Sequence, residues 1–381
     1  MQHIAYKFRI KPTLEQEIFF SKTFGCVRKI YNLMLESRKA NYELSKNGKG
    51  SKTIKPTPAK YKEEYEYLKE VDSLALSNAQ LNLERAFKNY FKDPKVGFPK
   101  FKSKKKSKDS YTTNNQNGTI VIVKGKYLKL PKLKTLVKMK MHRQVIGEIK
   151  SVTISRNSCN EYYVSILCRI EITPLKKTNS KVGIDLGIKE LAYLSTGEII
   201  ENHRYLIKQQ EKLKKEQKKL SRRYEKAKKE KRNLSECQNY QKQKMIVAKI
   251  HQKITNQRND YLNKITTNII KNHDIICIED LSIKEMMNNH QLSQKIADVS
   301  WFSFISKLEY KAKWHERIIV KIDKWYPSTK ICSTCGSNQS DKVKSLATRE
   351  WICSKCQSKH HRDINATINI LNEGLRLLSQ K

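Results

Sequence analysis

Four cysteines, Cys332, Cys335, Cys353 and Cys356, form two CxxC pairs separated by residues 336–352. A CxxC turn aims both sulfurs at one point, and two such turns complete a tetrahedral shell about 2.3 Å from a Zn²⁺ ion. With protein at all four positions, such a zinc is structural and has no open position for chemistry. Two reduced, metal-free pairs are the plainer alternative, and His360 and His361 stand near enough to substitute for a cysteine. Three carboxylates raise a second chemistry. Asp185 lies in a strand-like segment, Glu279 ends the apolar run "DIICIED", and Asp363 opens a helical pattern. Each has a dull reading: a helix N-cap for Asp363, a solvated strand-end charge for Glu279 or its neighbour Asp280. Jointly they suit phosphodiester hydrolysis, in which carboxylates hold two Mg²⁺ ions roughly 4 Å apart.

The elements that must position these groups follow from periodicity. Ile4, Tyr6, Phe8 and Ile10 alternate as a strand, Pro12 and Thr13 stop it, and Gln16 is placed to complete a capping box on a helix beginning near Leu14. Helical patterns continue to about residue 92, with Leu76, Leu81, Leu83, Ala86 and Tyr90 near one face. A Pro/Gly break and a lysine cluster in "KDPKVGFPKFKSKKKSKDSY" then read as a linker, a phosphate-contacting loop or a merely solvated one. From 117 to 172 the period is two, with turns at Lys124-Gly125 and Asn157-Ser158; this predicts a small β-barrel, with which residues 3–10 pair across a helical insertion. Residues 181–200 read as three short strands with tight turns at Gly187 and Thr196-Gly197. A basic helical hairpin follows, its first arm carrying Leu213 and Leu220, its second Ile246, Ile250, Ile254, Tyr261, Ile265 and Ile269. Residues 274–280 form a buried central strand, and 301–323 a further helix and strand.

Charge narrows the partners. The chain carries 78 Lys+Arg against 37 Asp+Glu, a formal net charge of +41. This predicts a polyanionic partner, nucleic acid rather than membrane, since no apolar stretch approaches the roughly 20 residues a span needs. The N-terminal "MQHIAYKFRI" has no signal-peptide h-region, so a cytosolic protein is expected. Cys26, Cys159, Cys168, Cys237 and Cys277 are scattered singly and read as reduced, packed thiols.

"GIDLGIKELAYLS", "ICIEDLSIKEMM", "SKLEYKAKW", "YPSTKICSTCG" and "HRDINATINIL" occur in the order and rough spacing of the TnpB family, transposon-encoded proteins similar to compact type V CRISPR effector nucleases. "YKFRIKPTLEQ", "GCVRKIYN" and "GFPKFKSKKKS" also resemble that family's N-terminal region, so the resemblance covers nearly the whole chain. It implies a multidomain α+β and α/β fold: an RNase H-like (RuvC) nuclease core with an inserted zinc ribbon, preceded by a β-barrel wedge domain with an inserted helical recognition domain. On this chain the resemblance places the first wedge strand at 1–12, the recognition domain at 13–110, the rest of the wedge at 111–178, the nuclease domain with its basic hairpin at 179–328, the zinc ribbon, a target-nucleic-acid-binding module, at 329–358, and the last nuclease segment and C-terminal helix at 359–381.

The family's acids carry over onto Asp185, Glu279 and Asp363, as catalytic residues holding two Mg²⁺ ions. His361 stands where an acid commonly precedes the arginine of the last motif, and a usual "NAA" is Asn365-Ala366-Thr367. The implied function is an RNA-guided, Mg²⁺-dependent DNA endonuclease of a transposable element. Its partners would be a guide RNA from the transposon end and double-stranded target DNA, cut next to a short flanking motif, in a prokaryotic cytosol where DNA-bound protein joins the nucleoid. The alternatives are an RNA-guided DNA-binding regulator or transposition accessory protein with an idle nuclease fold, and a transposase. Tyr111, after the lysine cluster, is a candidate for stacking on a base, with core packing the competing reading.

Overall fold

Alternating burial along Gln2–Lys11, with Tyr6, Phe8 and Ile10 inside, makes the first strand, β1. Residues 1–46, 57–342 and 348–380 are described in this computed structural model. Residues 47–56 of the expected helical region and 343–347 of the expected zinc ribbon lie outside them. The chain divides into two units, Met1–Glu171 and Ile172–Lys381.

In the first unit, Thr13 and Gln16 exchange the two hydrogen bonds of a capping box, 3.1 Å from the Thr13 N–H and 3.4 Å from the Gln16 N–H, and launch α1 (Leu14–Lys46). A single turn, α2 (Tyr61–Glu64), precedes α3 (Ser73–Lys92), whose N-cap Asp72 accepts from the Leu74 N–H. The faces of α1 and α3 meet through Ile30, Met34, Leu35, Leu76 and Leu83, all buried. Strands β2 (Asp109–Asn114), β3 (Val121–Val123), β4 (Tyr127–Lys129), β5 (Val137–Lys140), β6 (Glu148–Arg156) and β7 (Tyr162–Ile170) join β1 in one antiparallel sheet of order β2-β6-β7-β1-β5-β4-β3. Lys124 and Gly125 both have positive φ, 48° and 60°, the conformation a two-residue hairpin requires. All seven strands contribute to one core with Phe20 and Phe24 of α1. The expected β-barrel is instead a curled, open sheet: β2 and β3 end the order and do not pair with each other among the described residues. Tyr111 is 5% exposed in that core, so its ring has no face to offer a base.

In the second unit, β8 (Lys181–Leu186), β9 (Ala192–Leu194) and β10 (Ile199–Ile200) run antiparallel. The β8–β9 connection is residues 187–191, wider than the tight turn expected at Gly187, while Gly197 does turn with φ 87°. Helices α4 (Tyr205–Lys229) and α5 (Gln238–Asn272) form the hairpin and meet through Leu213, Val247, Ile250 and Ile254. Ile246 was expected in that seam but faces solvent, because Val247 takes the inward position one residue on. Then come β11 (Ile275–Glu279), α6 (Ile283–Met286), α7 (His290–Val299), α8 (Trp301–His315) and β12 (Ile318–Ile322). A small hairpin, β13 (Glu350–Ile352) with β14 (Lys359–His361), leads into the last helix, α9 (Arg362–Ser379). The sheet order is β10-β9-β8-β11-β12, with β8, β11 and β12 parallel. Of the singly scattered cysteines, Cys26, Cys159, Cys168 and Cys277 are buried, whereas Cys237 is only half-buried at the start of α5. Among the described residues no helix is long and apolar enough to cross a membrane.

Candidate functional site

Strand register brings two of the acids together. Ile184 pairs with Ile278, so Asp185 and Glu279 are the next residues on adjacent parallel strands and point to the same face. That face is also the one bearing Gly183 and Cys277, and it is covered by α9. Close approach requires glycine on both sides. A Cβ on Gly183 would run into the Thr367 carbonyl oxygen, and one on Gly374 would overlap the Cys277 side chain. The other face, with Val182, Ile184, Ile276 and Ile278, packs against α5 and α8. Laid on the sheet in this way, α9 delivers Asp363 from its first turn to the ends of β8 and β11.

Burial, together with the charges of Glu279 and Asp363, pushes the Asp185 carboxyl up to about 7. Burial also raises Glu279, opposed by the Ser328 hydroxyl, which donates to its Oε1 at 2.8 Å. Asp363 is not the N-cap; His361 holds that position, and the Asp363 carboxylate is held by Arg349 Nη1 at 2.6 Å. Asp185 and Asp363 lie in a cleft of about 590 Å³ whose walls carry Lys189, Arg204, Lys295, Arg349 and Arg362. Buried acids close enough to repel one another are a donor set that a divalent ion satisfies, and the basic walls suit a phosphate chain. A larger cleft, about 700 Å³, runs beside β12 and contains none of the three acids.

The four cysteines are also brought together. Cys332 Sγ is 3.6 Å from Cys356 Sγ, Cys335 Sγ is 3.7 Å from Cys353 Sγ, and all four sulfurs lie within 4.8 Å of one another. A zinc ion bound at about 2.3 Å to each would set tetrahedral sulfurs about 3.8 Å apart, so the cluster fits zinc. Both knuckles have one hydrogen-bond pattern: Cys332 N–H to Ser337 O at 2.9 Å and Gly336 N–H to Cys332 O at 2.8 Å, then Cys353 N–H to Ser358 O and Gln357 N–H to Cys353 O, both at 3.0 Å. The Ser337 hydroxyl and the Cys356 and Lys355 N–H groups pull the Cys353 thiol down to about 5, favouring the thiolate a metal needs. Neither histidine replaces a cysteine: His360 Nε2 lies 3.1 Å from Cys332 Sγ, outside the four-sulfur set, and the His361 ring packs 5.9 Å from Tyr193.

Several residues that sequence reasoning missed tie the two clusters together. On α9, Asn365 accepts from the Ser333 N–H at 2.8 Å and donates to Ile331 O at 2.7 Å. One turn later Asn369 donates to both Ser328 O and Ile331 O at 2.7 Å. Asn369 therefore holds the backbone of the serine that holds Glu279. There was little signal for them in the sequence, because Asn365 and Asn369 share their helix face with Arg362, Asn372, Glu373 and Arg376 and so read as part of a solvated side, although a buried amide must find partners. Arg349 had none, being one basic residue among 78.

Three family models match separate stretches of the chain. A family described as "Probable transposase" matches residues 163–290, "Cas12f1-like, TNB domain" matches 301–370, and "Helix-turn-helix domain" matches 1–49. The last region is here β1 followed by the single helix α1 over its described residues. A protein of Streptomyces pristinaespiralis named as an RNA-guided DNA endonuclease is 37% identical over 97% of this chain and 89% of its own length. The Escherichia coli K12 protein InsQ, with the same description, is 31% identical over 98% of this chain and 93% of its own. The cryo-EM structure of a Cas12f1–sgRNA–target DNA complex shares the fold, with a TM-score of 0.57 at 16% identity over 94% of this chain and 83% of that one. With relatives of this identity along nearly its full length, the chain belongs to the TnpB family.

Proposed function

We propose that this protein is an RNA-guided, Mg²⁺-dependent DNA endonuclease of an IS605-type transposable element, with Asp185, Glu279 and Asp363 as its metal-holding catalytic acids. The observation that carries the reading is the meeting of these three carboxylates at the ends of β8 and β11, in a chain related throughout to RNA-guided DNA endonucleases. When bound, two Mg²⁺ ions supply an activated water and stabilise the leaving 3′-oxygen. The chain's own groups do the rest. Ser328 orients Glu279, Arg349 balances Asp363 in the metal-free site, and Lys189, Arg204 and Arg362 receive the phosphates of the target strand. The sheet order, with helices on both faces, supports an RNase H-like (RuvC) core for 179–328 and 359–381, with 329–358 as a structural zinc ribbon that grips target nucleic acid. In the first unit we assign 1–12 and 111–178 to a wedge domain and 13–110 to an inserted recognition domain. The charge of +41 suits a protein that neutralises guide RNA and duplex DNA together, in the cytosol and on the nucleoid.

The test is to co-express the protein with the DNA flanking its gene, purify it, and sequence the RNA that survives. A single RNA species with a variable tail, supporting cleavage of matching DNA only with Mg²⁺, is the expected result. Asp185→Ala should reduce cleavage to background while leaving RNA binding nearly intact. RNA retention without cleavage would point to a binding regulator, and joined products without RNA to a transposase.

A further inference from the structure

The first unit carries an aromatic patch that the function above leaves unused. Phe91 is 74% exposed, Phe98 42% and Phe101 52%. Phe91 stacks on Phe87 at 6.2 Å, and Phe98 stands edge-on to Phe87 at 5.5 Å and to Tyr90 at 5.4 Å. Scattered surface phenylalanines need no explanation, but a contiguous group open to water marks a contact surface. The segment is also held in shape. Asp93 accepts from the Lys95 N–H at 3.0 Å, Gly97 turns with φ 82°, and Asn32 brackets Lys102 with two hydrogen bonds of 2.8 and 2.9 Å.

Charge indicates what covers it. Lys39 Nζ sits 5.5 Å from the Phe98 ring centre and 4.8 Å from that of Phe101, and Lys88, Lys92, Lys95 and Lys100 follow in a stretch whose one acid is Asp93. A second copy of this surface would set lysine against lysine. A base stacked on a ring carries its phosphate to the surrounding ammonium groups, so the patch suits unpaired nucleotides. RNA presents splayed, unpaired bases in its own folded state, whereas DNA must first be opened.

We propose that Phe91, Phe98 and Phe101 form a stacking platform for unpaired bases of RNA, a partner surface that rests on the nucleic-acid reading above and adds a site to it. The test is photocrosslinking of the full-length protein to single-stranded RNA containing 5-iodouridine, with adducts mapped by mass spectrometry. Adducts on residues 91–101 are expected, and are absent when the RNA is annealed to its complement. Replacing both Phe91 and Phe98 by leucine, which keeps apolar bulk without the rings, should abolish them and weaken binding of the RNA about tenfold, while leaving binding of an abasic chain unchanged. Adducts confined to other segments overturn the platform but leave nucleic-acid binding intact; failure to bind any RNA overturns both. Equal labelling by single-stranded 5-iodo-deoxyuridine DNA overturns the assignment to RNA. A concentration-dependent dimer that the double variant loses, seen by sedimentation velocity, assigns the patch to a second copy instead.

Discussion

The cysteine cluster and the acid cluster lie in the same unit and reach completion in opposite ways. The four sulfurs come from two short turns with matching backbone hydrogen bonds, and they already stand at the spacing a zinc ion needs. The three carboxylates come from two parallel strands and a helix separated from β11 by residues 280–361. They meet only because register aligns Asp185 with Glu279 and because Gly183 and Gly374 let α9 lie against the sheet. A site assembled locally is set by chain geometry over a few residues. A site assembled by packing inherits every tolerance of the core beneath it, and holds its buried charges at the cost of raised carboxyl pKa values.

That contrast can be tested. Cys353→Ala should lower zinc content from one ion per chain to none and unfold the ribbon, read by metal analysis and protease sensitivity of residues 329–358, while the sheet survives; collapse of the whole second unit would show that the sites are not separable. Gly374→Ala should destabilise that unit by about 1–3 kcal/mol, since its Cβ meets the Cys277 side chain, and adding Cys277→Ala should recover part of the loss. Strict additivity of the two changes in thermal unfolding would rule out that contact.

For Asp185 the sign is set by a folded pKa of about 7, above the unfolded value of about 3.9. Its proton therefore contributes stability that is fully present below about pH 4 and is lost as pH rises through about 7. Asp185→Asn should remove that loss, giving a metal-free Tm a few degrees above wild type at pH 8 and no such gap at pH 4. An unchanged gap across pH would refute the assignment. Ser328→Ala should raise the Mg²⁺ concentration needed for half-maximal cleavage about tenfold with RNA binding unchanged, because Glu279 loses the donor that orients it. The smallest effect is expected at Gln357, which occupies with φ 58° the left-handed position that Gly336 fills in the other knuckle. Gln357→Gly should strengthen zinc retention against a chelator by about 0.5 kcal/mol.

Legibility in the sequence followed the length over which each feature is decided. The alternation at Ile4–Ile10, the capping box at Thr13 and Gln16, and the turn at Lys124-Gly125 are local, and each stands where periodicity and turn chemistry put it. The seam of the basic hairpin slipped by one residue at Ile246, because neighbouring apolar residues can both satisfy a helical period. The barrel expectation failed to see that the ladder stays open, since period-two alternation reports one buried face and is silent on whether the last strand meets the first. Asp363 read equally well as an N-cap, and the structure decides otherwise by starting the helix at Arg362 with His361 as N-cap and setting Arg349 on the Asp363 carboxylate.

Residue type and spacing alone marked the four cysteines as a metal-ligand pattern and the summed charge pointed to a polyanionic partner, because a few side chains or a net charge already contain that chemistry, whereas the three acids were singled out as a set by their resemblance to the TnpB family's motifs. The distances among those acids, the orienting chain from Asn369 through Ser328 to Glu279, and the exposed rings at Phe91 and Phe98 were decided by tertiary structure. They depend on which faces of distant elements are pressed together and which are left to water, and packing over long sequence separations is a property of the whole core rather than of any motif.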